Sequence, residues 1–524
     1  MKKSNLILIL FLLFTGISKS QLLQVNNPKL NDFEGIYKFL ASDWLEGREA
    51  SEKGSFIAAD YIASLMQTFD LLPFGDKNSY FQEFNLVKYK IDNSEFSIVE
   101  GSKESNSRLI LTQNIDYELI SGASSSEVSA PVVFAGYGLS LDDKSYDDYR
   151  NLQVKGKIVL VLSGFPGESD SLSAGWKKMA GIFSDIDILE ETKIKNATDH
   201  GALAIIMMDS NEKLNPVLNN QVNLELAGKS MNSNKFSDEI YKDSYFEFPS
   251  QIKNSEIPCF KMSVSAGKYF IDNLGLNRVD FEKKASQMSA SLPVQKELRA
   301  EFSIHVQKES VIVKNVIGKI EGKNPAKTII VGAHYDHLGV RGNNIYNGAD
   351  DNASGTAGML ALAKNWASVG QKPEYNLIFA AWTAEEEGHF GSRYFAESYK
   401  SYLKNVQLYL NLDMISRSVK EDRQQRQLSI GTRTPDEYLR ELSKKLNSTL
   451  EKPFELDLWD VTGHHGSDYA SFYPHNVPVM TFNTGLHDDY HTPRDVSSNA
   501  DFNKMLDVIM LVNEIMLANP EKKN

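Results

Sequence analysis

From about residue 291 onward, apolar runs of strand length alternate with stretches of helical periodicity. "TIIVGAH" reads as strand, "TAGMLALAKNWASV" as helix, "YNLIFAAW" as strand, "GSRYFAESYKSYL" as helix and "VQLYLNLDMI" as strand. A strand "QLSIG", a helix "DEYLRELSKKLN", a strand "VPVMTFN" and a terminal helix from Asp501 to Leu517 continue the series. Apolar strands separated by helices need cover on both faces, which predicts a three-layer α/β/α sandwich with a mostly parallel central sheet. Ligands bind such sheets beyond the carboxyl ends of the strands. No fixed-period repeat is visible, which argues against a solenoid or propeller.

The acids and histidines fall at those ends. "TIIVGA" runs into His334 and Asp336, "LIFAAWTA" into Glu385, Glu386 and Glu387, "LYLNL" into Asp413, and "VPVMTFNTGL" into His487 and His491. The loop "GADDNASG" adds Asp350 and Asp351 ahead of a helix. Taken singly, a glutamate triplet at a helix start is a solvated first turn, and "DD" in a Gly-rich loop is a turn. Together, several carboxylates meeting at one sheet edge repel unless a cation neutralises them. Mixed His/carboxylate ligation suits zinc first, with other divalent metals possible. The spacing His334-x-Asp336 fits a ligating histidine whose second ring nitrogen is held by a carboxylate.

The 524 residues predict more than one domain, and 41% hydrophobic with 24% charged residues is an ordinary globular balance. Lys2 and Lys3, the apolar run Leu6 to Phe14 and the small residues before Gln21 read as a cleavable secretory signal over 1–20. Nine apolar residues are too few to span a bilayer, so no membrane anchor is expected after cleavage and the protein is expected to be exported, periplasmic or secreted. Losing Lys2, Lys3 and Lys19 with the leader takes the formal charge from −13 to −16, which disfavours nucleic acid as a partner. The single Cys259 excludes an internal disulfide and reads as a buried apolar residue. Phe56, Tyr61, Ile62 and Met66 trace one face of an early helix. From about Val128 short β-rich runs, "APVVFAGYG", "KGKIVLVLSG" and "GALAIIMMD", mark a second domain, with 209–256 a polar excursion from it.

"GAHYDHLG", "NGADDNASG", "WTAEEEGHFGS", "NLDMIS" and "DDYHTPRD", in this order, resemble the five signatures of the co-catalytic di-zinc aminopeptidases, to which the bacterial leucyl aminopeptidases belong. The β-rich interval is similar to the protease-associated (PA) domain, on "VVFAGYGL", "YDDY", "VKGKIVLV" and "GALAIIM". The resemblance implies a peptidase domain over 21–115 and 291–524, interrupted by a PA-like insertion over 116–290. It implies two Zn2+ ions, one held by His334 and Asp413, the other by Glu386 and His491, with Asp351 bridging and a cis peptide at Asp351–Asn352. Glu385 would be the general base and Asp336 the partner of His334. The substrates implied are peptides with a free N-terminus. Asn352 stands where the family usually has a third acid, and Tyr469 where it often has histidine. His337, His464 and His465 are expected in loops or behind the ligands, and His389 at the surface. Other uses of such a site stay open: carboxypeptidase action, glutaminyl cyclisation, or a receptor-like relative without catalysis. A two-metal phosphoesterase fits the metals but not the order of the motifs.

Overall fold

The computed structural model describes residues 28–522 apart from 101–106, 114, 122–123, 142, 144, 184–185, 209–243, 252–256, 290–294 and 464–465. The expected leader, most of the 209–256 excursion, and His464 and His465 lie outside the described residues.

In chain order the strands that frame the site are β1 (Phe81–Glu100), β2 (Ser126–Phe134), β3 (Ile158–Leu162), β4 (Ala204–Met208), β5 (Cys259–Met262), β6 (Arg299–Ile320), β7 (Asn324–His334), β8 (Tyr375–Trp382), β9 (Val406–Leu412), β10 (Gln427–Thr432), β11 (Glu455–Asp460) and β12 (Val479–Asn483). Helices that pack on or beside the C-terminal sheet include α1 (Lys53–Thr68), α2 (Gly355–Ala367), α3 (Phe390–Ser398), α4 (Glu437–Asn447) and α5 (Phe502–Leu517). The C-terminal sheet runs β11-β10-β12-β9-β7-β8-β6. Neighbours β7/β8, β7/β9, β9/β12 and β10/β11 are parallel, while β6/β8 and β10/β12 are antiparallel.

Side-chain alternation sorts this sheet's residues into two cores. Ile329, Val331, Leu377, Phe379, Leu408 and Leu410 pack with α1, α2 and α5 on one face. Ile330, Ile378, Ala380, Trp382 and Tyr409 face the opposite way, onto Phe395 of α3 and Phe472. The sheet is thus covered on both sides, as its apolar strands require. On α1 the buried face is Ala58, Ala59, Ile62 and Met66, with Phe56 and Tyr61 only half-buried. Asp501 caps α5 by accepting the N–H of Asn503 and Lys504.

β1 and β6 form one long antiparallel ribbon, from Phe81 opposite Val316 to Val99 opposite Arg299. At its far end β6 pairs with β2, which leads into the parallel strands β3, β4 and β5. These carry a core of their own, with Phe96, Leu160, Ile206, Phe260 and Phe302 buried together. Cys259 is buried and free. Among the described residues no helix is long and apolar enough to cross a membrane.

Candidate metal centre

Strand direction delivers the polar residues to one edge. His334 is the last residue of β7, and Asp413 follows the last residue of β9. Glu385 and Glu386 follow β8 after Ala384, which turns the chain with φ 53°. Asp351 sits in the turn before α2, and its bond to Asn352 is cis. The carboxylate of Asp351 is shared: Oδ1 lies 3.3 Å from His334 Nε2, and Oδ2 lies 3.0 Å from His491 Nε2. Around His334 Nε2, Asp413 Oδ1 is at 3.5 Å and Glu385 Oε2 at 3.7 Å. Around His491 Nε2, Glu386 Oε2 is at 3.2 Å.

These spacings fit a metal. Donors about 2.0–2.1 Å from a tetrahedral zinc lie roughly 3.3 Å from one another, which is what Asp351, His334, Asp413, Glu386 and His491 present. Asp413 Oδ1 and His491 Nε2 are also buried without a well-formed hydrogen bond. Two groups of metal-competent donors result, His334 with Glu385 and Asp413, and His337 with Asp351, Glu386 and His491.

His337 is a residue the sequence placed outside the ligand set. Its Nδ1 lies 2.6 Å from Glu386 Oε1, shorter than a coordination edge and right for a charge-assisted hydrogen bond. The ring fits because residue 348 is glycine at φ +54°. A Cβ there would stand 2.4 Å from the imidazole and 2.1 Å from the Asp351 carbonyl. Asp336 meets His334 Nδ1 with its main-chain carbonyl, at 3.2 Å, and its carboxylate stands off at 4.0 Å. That carboxylate accepts the main-chain N–H of Glu385 and Glu386 instead, at 3.1 and 3.3 Å. His389, expected at the surface, is folded inward at φ 57°, with Nε2 3.4 Å from Glu385 Oε1. His487 pairs with Asp350 at 3.3 Å and is not among the metal-competent donors.

Behind the donors, Asp495 accepts the N–H of Asp350 at 3.0 Å and of Asp351 at 3.1 Å. Asn352 donates to the Leu412 carbonyl and accepts from Gly355 N–H, tying the Asp351 turn to the end of β9. Arg48 is wholly buried and donates only to carbonyls, those of Leu40, Tyr335 at 2.6 Å, Asn347 at 2.7 Å and Gly348 at 2.9 Å. It joins the loop of His334 to the loop of Asp351 and sets a positive charge behind the acids. No role was read for Arg48, or for Asp495 at the end of "DDYHTPRD", because the loops they hold lie 287 to 300 residues from Arg48 and 144 or 145 from Asp495.

Burial opposes charge on all of these groups. Against it, Glu386 and Asp351 push His491 up to about 11, and Glu385, Asp351 and Asp413 raise His334. His491 and His337 hold Glu386 well below the usual carboxylate range. Glu385 goes the other way, raised by burial and by its acidic neighbours. Burial also lifts Asp336 to about 8. The chain by itself therefore balances its carboxylates with protons on histidines, the compensation that divalent cations supply when the same atoms serve as ligands.

Residues 315–516 match peptidase family M28, and residues 128–241 match the PA domain. This C-terminal stretch is thus similar to the M28 peptidases. Among curated relatives are probable zinc metalloproteases from Pyricularia oryzae, 34% identical over 115 residues, and from Pyrenophora teres f. teres, 34% identical over 119 residues. Each match takes in 21% of this chain and 22% and 24% of the relative, so the chain spans about a quarter of the length of these relatives. The whole fold is similar to that of an aminopeptidase from Aneurinibacillus sp. strain AM-1, at TM-score 0.63 and 18% identity, covering 95% of both chains. It is also similar to BSAP, a zinc aminopeptidase from Bacillus subtilis, at TM-score 0.52 and 20% identity, covering 96% of both chains. Residues 315–516 supply all of the metal-competent donors described above.

Proposed function

We propose that the protein is a zinc-dependent exopeptidase that releases N-terminal residues from peptides, with two zinc ions at the M28 centre. The observation that carries the reading is the division of Asp351 between His334 and His491, with Glu385 beside them. His334 and Asp413 would hold one ion, Glu386 and His491 the other, and Asp351 both. Bound there, zinc would acidify a water and polarise the scissile carbonyl.

The remaining chemistry belongs to the chain. Glu385 is the residue placed to take the water's proton at Oε2 and return it to the leaving amine. Asp336 keeps Glu385 and Glu386 in register through their main-chain N–H groups. Asp495, Asn352 and Arg48 hold the loops that carry Asp351 and His334. A cleft of about 1040 Å³ opens beside Gly388 and His389, walled by Arg393, Phe248 and, from the PA side, Ile188 and Glu191. It leaves room for the polypeptide beyond the scissile bond, which supports a peptide substrate over a small one. The leader-like pattern of residues 1–20 supports export to the periplasm or the medium.

The test is a panel of amino-acid p-nitroanilides with free or acetylated amines, assayed with chelator and with zinc added back. Zinc-restored release from free amines alone is expected. Release from acetylated substrates would reject the aminopeptidase reading, and release from C-terminal substrates instead would favour carboxypeptidase action.

A further inference from the structure

A second pocket, of about 440 Å³, adjoins Asp413 on the side away from the PA domain, and its floor runs from Asp413 out to the edge strand of the sheet. Leu412 of β9 lies opposite Phe482 of β12, so Asp413 and Asn483 adjoin, and Asn483 Nδ2 donates to the Asp413 carbonyl at 2.9 Å. Asn483 is opposite Ser429 of β10, and Ser429 is opposite Asp457 of β11. Residues opposite one another share a face, so Asp413, Asn483, Ser429 and Asp457 form one row across four strands. A second row on the same face, two residues earlier on β9 and β12, runs Asn411, Thr481, Gly431 and Trp459.

The pocket's chemistry is one-sided. Among the described residues its charged lining residues are Asp413, used at the metal centre, and Asp457. Asp457 accepts the Ser429 hydroxyl at 3.1 Å and has no ion pair with any lysine or arginine among the described residues. The polar Asn483 and Ser429 lie between the two carboxylates, and the apolar surface of the pocket flanks that row. The Trp459 indole lies against Gly431, where a Cβ would stand 2.7 Å from its ring, and Tyr469, Val419 and Leu486 complete the wall.

We infer that this pocket takes the side chain of the residue to be released, and that Asp457 makes lysine and arginine the preferred residues. The inference rests on the aminopeptidase reading above. Three strand spacings place Asp457 about 14 Å from Asp413. An extended lysine or arginine side chain spans about 6–7 Å, and polar contacts at its two ends add about 3 Å each, so a basic residue bridges the row. A leucine ends partway along it. The indole face suits both the aliphatic stem and a guanidinium laid over it.

The experiment compares lysine, arginine and norleucine p-nitroanilides on the zinc-loaded protein and on Asp457→Asn. Norleucine keeps most of lysine's stem without its charge. The full-length chain is expected to favour lysine and arginine over norleucine by roughly three- to tenfold in kcat/KM, chiefly through KM, as suits a solvent-exposed carboxylate. Asp457→Asn is expected to bring that ratio to within about twofold of one, as is high salt in the unaltered chain. A norleucine preference in the unaltered protein, or a ratio that Asp457→Asn leaves in place, overturns the inference and leaves the peptidase reading intact. No release from any substrate overturns the peptidase reading and this inference with it.

Discussion

The carboxylate of Asp336 accepts the main-chain N–H of Glu385 at 3.1 Å. Its task in this fold is thus to fix where the glutamate loop lies, while the His334 ring leans on the Asp336 carbonyl. Asp336→Asn keeps the shape but replaces one acceptor with a donor facing those N–H groups. It is expected to lower kcat roughly 10–100-fold, with bound zinc, read by atomic emission, retained.

Glu385 and Asp351 separate proton transfer from metal retention. Glu385→Gln removes the proton acceptor and is expected to lower kcat about 10²–10⁴-fold while leaving zinc content in place. Asp351→Ala removes the carboxylate shared by both histidines and is expected to lose zinc and activity together. Equilibrium dialysis against zinc distinguishes the two variants, and full zinc loading of Asp351→Ala would reject the shared-ligand role.

Arg48 is a buried cation whose hydrogen bonds go to four carbonyls of three different segments. Burial lowers its pKa to about 10, with Asp336, Asp351, Asp495 and Glu386 opposing the shift, so it stays charged at neutral pH. Arg48→Met strands those carbonyls and removes a buried positive charge from behind the acids. A loss of about 3–5 kcal/mol in unfolding free energy is expected from urea titration. Arg48→Lys, which keeps the charge with fewer donors, should fall between.

In the PA domain, Lys193 is buried and donates to the carbonyls of Leu162 and Gly164, both at 2.6 Å. Burial lowers its pKa to about 7, with Asp148, Glu190 and Glu168 opposing, against about 10.4 in an unfolded chain. Between those values the unfolded state binds the extra proton, so this group makes stability rise as pH climbs from about 7 to about 10. Urea midpoints over that range are expected to climb in the unaltered protein and to climb less in Lys193→Met.

The strand and helix series of the M28 half was legible because a sheet buried on both faces writes itself as unbroken apolar runs, as in "TIIVGAH" and "YNLIFAAW". β11 was not seen, since its alternating "ELDLWD" lies half-exposed at the sheet edge and carries three acids. The ribbon of β1 and β6 was missed for a different reason: its polar stretches suit a strand pair partly bathed in solvent, and only the pairing partner explains them. The residues that the structure brings together at the centre were legible because strand ends concentrate them. The residues that hold the donors, Arg48, His337 and Asp495, were not found in that role, because each acts through partners far off in sequence or through main-chain atoms that no side-chain pattern records.

The ribbon also sets how the PA domain can change over evolution. Along a paired strand successive side chains point to opposite faces, so adding one residue to a single strand turns everything beyond it inside out. The register slips once, between His305 and Val306, and elsewhere holds from Phe81 to Val99. Apart from such a bulge, which absorbs one unmatched residue locally, a stem of this kind is lengthened or trimmed by matched pairs. The outlying domain is therefore aimed at the catalytic edge in discrete steps, and drift in the stem's length cannot swing it gradually away.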